Sequence, residues 1–261
     1  MSVSIVYAVA DGIATITFNR PKVMNALDAA TTVEFREVCE RAETDNTVRV
    51  VVLRGAGPAF VAGGDVASFK ENLADFSVKV IPLAGELHRG ILALRRAPKP
   101  VIASVHGAVA GAGMSIMMAC DLIVAAEGTQ FSMAYSRIAT SPDGGATWFL
   151  PRLVGYQKAM ELLLLADAVD VAALHSLGVI NRIVPAAELE NTTLKLAQRL
   201  AAGPATAYAE TKALVNSELN QILTKHLDAE AQAFSRCAAH ADFAEGVSAF
   251  VEKRQAVYKH N

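Results

Sequence analysis

Apolar and polar positions along this chain follow two regimes. Up to about residue 185, short β-branched runs alternate with glycine-rich turns and helical stretches. From Ala187 onward the pattern is helical throughout, rich in alanine, leucine, glutamate and lysine, with a break at Gly203-Pro204. Ile5 to Ala10 and Ile13 to Phe18 flank Asp11-Gly12, which predicts a hairpin. Asn19 to Asp28 reads as a loop, with Asp28 capping a helix to about Thr44 that carries Val33, Phe35 and Val38. Val48 to Leu53 is a predicted strand, ended by Gly55 and Gly57-Pro58. A glycine loop, Phe60 to Val66, follows it, and Ile81 to Arg96 reads as a helix. Pro98 and Pro100 lead into a buried strand, Val101 to Val105. Gly107, Gly111 and Gly113 then precede a buried helix, Met114 to Cys120. Leu122 to Ala126, Gln130 to Met133 and Val179 to Val184 read as extended, and Tyr156 to Leu165 and Ala172 to Leu177 as helical.

Strands interleaved with helices, then helices alone, predict an α/β fold with a helical C-terminal part. At 261 residues the chain fits one large domain or one with a small appendage, and its 52% hydrophobic residues can fill a sizeable core. With 24 basic and 26 acidic residues, net basicity gives no footprint for a nucleic-acid partner. Cys39, Cys120 and Cys237 are odd in number, far apart and without metal-ligand spacing. They read as reduced thiols of a cytoplasmic protein with no metal site. The first residues lack a basic segment and a cleavage pattern, so they read as mature protein. No apolar run reaches the length that spans a bilayer.

The candidate chemistry lies in two glycine loops that follow strands, at Ala62 to Asp65 and at Gly107 to Gly113. A glycine-rich entry into a helix leaves backbone N–H groups without intrahelical acceptors, and such groups can hold an anion or a developing oxyanion. If both strands end on one sheet edge, those amides converge on one oxygen. The same glycines would equally serve close packing of a helix on a sheet. A dinucleotide site also has a claim through Glu127, placed as a ribose-binding acid would be. But the glycines run G-x-x-x-G-x-G in mid-chain, not G-x-G-x-x-G. Asp143, in Ser-Pro-Asp-Gly-Gly, reads on local sequence as turn chemistry and a cap for the next helix.

Five stretches, NRPKVMNALD, FVAGGDVASF, KPVIASVHGAVAGAGMSIMMACD, SPDGGATWFLPRLVG and EGVSAFVEKRQ, taken in this order, resemble the crotonase (enoyl-CoA hydratase/isomerase) superfamily. The resemblance spans nearly the whole chain. It implies a crotonase-like spiral of ββα repeats over residues 1–200 that binds acyl-CoA, and a helical region over 201–261 that joins subunits into a homotrimer or homohexamer. Leu214, Leu219, Leu223 and Phe234 are among the apolar residues expected to serve that assembly. It further implies an oxyanion hole from the amides of Gly64 and Ala112, and no cofactor other than the coenzyme A of the substrate thioester. Ala62, Gly64 and Asp65 in the first loop, together with Lys22, Phe250 and Lys253, match positions that contact coenzyme A. Phe69 and Trp148 are candidates for the acyl pocket, and core packing would explain both equally well.

The pattern departs from the hydratases at two positions. Where they carry glutamates, this chain has Ser115 and Tyr135. A tyrosine with an ordinary pKa near 10 is a poor base, so both carboxylates of the water-adding pair are missing. The resemblance instead gives Asp143 the place of the acid/base in isomerases, where a single carboxylate moves a proton along the acyl chain. Aryl-CoA dehalogenases use the same aspartate as nucleophile. Tyr135 and His88 stand where those enzymes have an aromatic residue and a histidine, and on local pattern His88 reads as a polar-face helix residue. We therefore expect an enoyl-CoA isomerase. A hydratase, a dehalogenase or hydrolase, and a non-catalytic CoA- or RNA-binding member are the alternatives.

Overall fold

The structure, a computed structural model, describes residues 3–71 and 73–257; the side chains of residues 217–223 lie outside that description. The chain enters through β1 (Ile5–Ala10) and β2 (Ile13–Phe18), antiparallel about Asp11 and Gly12, which both take positive φ as a tight hairpin requires. The Asp28 carboxylate accepts the Thr31 N–H at 2.8 Å and opens α1 (Ala29–Thr44), which returns the chain to β3 (Val50–Gly55), parallel to β2. Next come α2 (Val66–Lys70) and α3 (Phe76–Arg96), the latter starting five residues before the predicted Ile81. Phe76 and Val80 are buried, and this packing extends the helix through sequence whose local pattern is mixed.

β4 (Val101–Val105), β5 (Ala108–Ala110) and α4 (Ala112–Met118) follow, and β6 (Leu122–Ala126) with β7 (Gln130–Ser132) repeats the two-strand step before α5 (Ala146–Val154) and α6 (Tyr156–Leu165). β8 (Val169–Asp170), α7 (Val171–Ser176) and β9 (Arg182–Val184) complete the sheets. The helices α8 (Leu189–Ala201), α9 (Ala205–Ala238) and α10 (Ala241–Glu252) end the chain. The main sheet has the order β1-β2-β3-β4-β6-β9 and the small one β5-β7-β8. The steps β4–β5 and β6–β7 thus each leave one strand in the main sheet and one in the small sheet. The short strand β5, between Gly107 and Gly111, was not resolved by sequence pattern, because three residues carry too little periodicity.

The larger core fills one face of the main sheet around Phe18, Phe35, Phe60, Ile116 and Phe131. A smaller one, with Val50, Ile102 and Leu196, sits under α8 on the other face. The break predicted at Gly203-Pro204 separates α8 from α9, and α9 packs along α3 while α10 packs on α2. Of the residues expected to serve assembly, Leu214 is 74% exposed and Phe234 is buried in its own chain's core. Leu219 and Leu223 lie outside the described side chains.

Candidate active site

β3 and β4 are parallel neighbours, so the loops that follow them leave the sheet at one edge. Asn25, with positive φ, ties the loop after β2 to this edge. Its side-chain N–H groups donate to the carbonyls of Ala56, Ala59 and Phe60, and its Oδ1 accepts the Arg20 N–H. Leu27 then pairs with the glycine loop: its N–H donates to Gly63 O at 2.8 Å, and its carbonyl accepts the Asp65 N–H at 2.9 Å. Gly64 sits between those two bonds with its own N–H outside the ladder. Gly113 explains how the second loop comes so close, since a Cβ there would lie 2.1 Å from Val61 O. Close packing and open amides are therefore both correct readings, of different residues. Ala112 is the first residue of α4 and its N–H has no intrahelical acceptor. Neither the Gly64 nor the Ala112 N–H has a protein acceptor among the described residues, and both residues line one cavity.

Asp143 lines the same cavity, and among the described residues it is the cavity's sole carboxyl group. The Tyr135 hydroxyl donates to Asp143 Oδ1 at 2.8 Å. Ser115 Oγ donates to the Asp143 carbonyl at 2.9 Å and lies 3.1 Å from the Tyr135 hydroxyl. Burial pushes the Asp143 carboxyl up to about 7, with the Tyr135 hydrogen bond working against the shift and the charge of Glu230 adding to it. Burial and the neighbouring Asp143 hold the Tyr135 phenol well above its ordinary value, so it stays protonated and donates.

Asp143 does not cap the following helix. That place is taken by Glu230, a residue sequence reasoning missed, which reaches from α9 to accept the Gly145 N–H at 2.7 Å and the Thr147 N–H at 3.1 Å. Its only local signal is a charged residue in a long helix, which is ordinary. Glu230 is 5% exposed and also accepts from the Thr147 hydroxyl. With the amides at the start of α5 engaged this way, the Asp143 carboxyl keeps a single side-chain donor and faces the cavity.

The remaining candidates divide. His88 is buried, not on a polar face. Its Nε2 accepts the Gly144 N–H at 3.3 Å, burial lowers its pKa to about 4, and it does not line the cavity. It is neutral and holds the turn that carries Asp143. Ala62 lines the cavity and donates its N–H to Met24 O. The Asp65 carboxylate is engaged by Arg20 at 3.1 Å and by the Ser68 N–H, its own N–H donates to Leu27 O and its carbonyl accepts the Phe69 N–H, so Asp65 shapes the loop and stands outside the cavity lining. Phe250 stands at the cavity mouth, while Lys22 and Lys253 are exposed and outside the cavity lining. Phe69 lines the cavity. Trp148 does not; it lies under the Arg152 guanidinium, 3.4 Å from its ring centre. His106 bonds not within its own loop but across to Gly57 O in the loop after β3, at 2.8 Å. No group of three or more metal-ligating side chains and no helix able to cross a membrane occurs among the described residues.

A sheet spiral thus brings two unengaged loop amides and one buried carboxyl together in an apolar cavity. The family model for enoyl-CoA hydratase/isomerase matches residues 8–261, and the chain belongs to that family. A probable enoyl-CoA hydratase of Rhodobacter capsulatus is 37% identical over 95% of this chain and 95% of its own. The 1,2-epoxyphenylacetyl-CoA isomerase of Escherichia coli is 34% identical over 93% of each chain. A solved enoyl-CoA hydratase from Mycobacterium avium subsp. paratuberculosis, 32% identical, superposes with a TM-score of 0.89 over 98% of this chain and 99% of its own. Relatives named as dehalogenases also match. The family is therefore settled while its chemistry is varied.

Proposed function

We propose that this enzyme shifts a double bond in an enoyl-CoA thioester, with Asp143 as the one acid/base and the amides of Gly64 and Ala112 receiving the thioester oxygen. The observation that carries this reading is the Asp143 carboxyl, poised near neutrality in the cavity that both amides line. Asp143 removes a proton from one carbon and returns it two carbons away, and the oxyanion hole stabilises the dienolate between the two events. When the carboxyl takes the proton, the Tyr135 hydroxyl hydrogen can turn to Ser115 Oγ, 3.1 Å away, so the carboxylic acid is not forced against a donor. No cofactor is needed beyond the coenzyme A of the substrate.

Hydration needs a second carboxylate to handle water. At its two usual places stand Ser115 and Tyr135, each bonded to Asp143. Nucleophilic dehalogenation asks His88 to act as a base, and its Nε2 is engaged by the Gly144 N–H while the residue is not part of the cavity lining. The deciding experiment is turnover of a 3-enoyl-CoA in deuterium oxide. Isomerisation to the 2-enoyl-CoA in which the migrating hydrogen is carried over or only partly exchanged for deuterium, lost in Asp143→Ala, supports the reading. Hydration at a comparable or faster rate, or a trapped acyl-aspartyl species, refutes it. The helical C-terminal region is proposed to join subunits as a trimer or a pair of trimers.

A further inference from the structure

We propose that Phe69 is the wall that sets acyl length in this site, closing a pocket for about four carbons and separating it from a groove between α1 and α3. The proposal rests on the acyl-CoA reading above and names its substrate class, a short aliphatic acyl thioester.

The ring is tied to the chemistry by the chain itself. Gly64 carries a candidate oxyanion amide, Asp65 caps α2, and Phe69 is the fourth residue of that helix. A Cβ on Gly64 would meet Phe69 Cζ at 2.6 Å, so the tip of the ring lies against the oxyanion loop. Behind it the ring packs on Phe76 at 4.5 Å between centroids, and Phe76 stacks on Phe243 at 5.4 Å. Rings from α2, α3 and α10 thus hold Phe69 in place.

Phe69 and Leu83 belong to two walls at once. On one side lies the cavity with Asp143, about 90 Å³. On the other lies an open groove of about 500 Å³, lined by Ala30, Val33 and Pro82 among others. An apolar cavity of roughly 150 Å³ takes a benzene ring, so the inner pocket suits a chain of a few carbons and not an aryl group or a long tail. The groove offers the missing room, and the Phe69 ring stands between the two.

Binding of saturated acyl-CoAs tests this without depending on turnover. Butyryl-, hexanoyl-, octanoyl- and decanoyl-CoA are titrated into wild type, Phe69→Ala and Phe69→Leu, with assembly checked by size. Each buried methylene adds about fourfold to affinity. Wild type should gain little beyond butyryl, while Phe69→Ala should bind octanoyl-CoA at least tenfold tighter than butyryl-CoA. If Phe69→Ala does not fold, Phe69→Leu should show the same trend more weakly. Adding Val33→Trp to Phe69→Ala should cancel the gain by filling the groove. A wild type that already gains tenfold from butyryl to octanoyl, an unchanged length profile in both variants, or a gain that survives Val33→Trp overturns the wall. A wild type that binds no acyl-CoA of any length overturns instead the reading of the site on which the wall rests.

Discussion

Asp143 works under a tension that can be measured. Its carboxyl is pushed up to about 7 chiefly by burial, against an unfolded value near 3.9. Between those values the folded chain holds a proton that the unfolded chain has released, so stability falls as pH rises through this window and stays low above it. Asp143→Asn should therefore raise the melting temperature at pH 8 and change it little at pH 4, while lowering isomerisation by about 10²–10⁴-fold. Equal shifts at both pH values would contradict the buried-carboxyl account. Catalysis has the opposite slope: the proton-removing form is the carboxylate, so the rate should rise with pH through about 7. Tyr135→Phe deletes the donor that favours the carboxylate, and the limb should move up by about one unit. A pH–rate profile that does not move would show that this hydrogen bond is idle in catalysis.

At the scale of elements, the site depends on who satisfies which helix start. At α4 no side chain caps the first turn, and the Ala112 amide is left without a protein acceptor, open to the proposed oxyanion. The first position of a helix tolerates proline, so Ala112→Pro removes the donor with limited harm to the helix. An oxyanion donor contributes roughly 2.7–4 kcal/mol, so turnover should fall by about 10²–10³-fold. Circular dichroism and a size measurement confirm that the variant is assembled; near wild-type turnover in a folded variant would make this stretch scaffold only. At α5 the start is engaged by Glu230 from α9. Glu230→Gln leaves one buried N–H without its acceptor, costing about 1–3 kcal/mol of stability. It also removes a negative charge near Asp143, and the pH–rate limb should shift down. That direction is opposite to the one expected for Tyr135→Phe, so the pair of variants separates charge from hydrogen bonding.

Across the whole molecule, α9 and α10 have two roles. They cover the site by supplying Phe234, Glu230 and Phe250, and they leave apolar side chains on the surface. Tyr156, Leu164 and Leu165 on α6 and Leu214 and Val215 on α9 are each more than half exposed. Where such side chains form one contiguous patch, another protein surface ordinarily covers them. The trimer or hexamer proposed above predicts sedimentation at three or six times 27.6 kDa at micromolar concentration. Leu164→Glu with Val215→Glu should weaken it, and a monomeric wild type would refute the proposal.

Much of this protein was legible in its residues taken in order. Hairpin, capped α1, the strand before each glycine loop and the break after α8 follow from local rules, because turns, caps and β-branched runs act within a few residues. The motifs named the family and pointed to Gly64, Ala112 and Asp143. What the sequence could not decide is the state of each side chain once distant segments meet. His88 reads as a polar-face residue and is buried against Gly144; Asp143 reads as a cap and is not one; Trp148 reads as a pocket residue and lies under Arg152. The first two of these turn on partners far along the chain, above all Glu230, whose carboxylate reaches α5 across more than eighty residues of sequence. Hydrogen-bond competition and desolvation are properties of place, not of residue type, so only the packed fold makes Asp143 a group that titrates near neutrality.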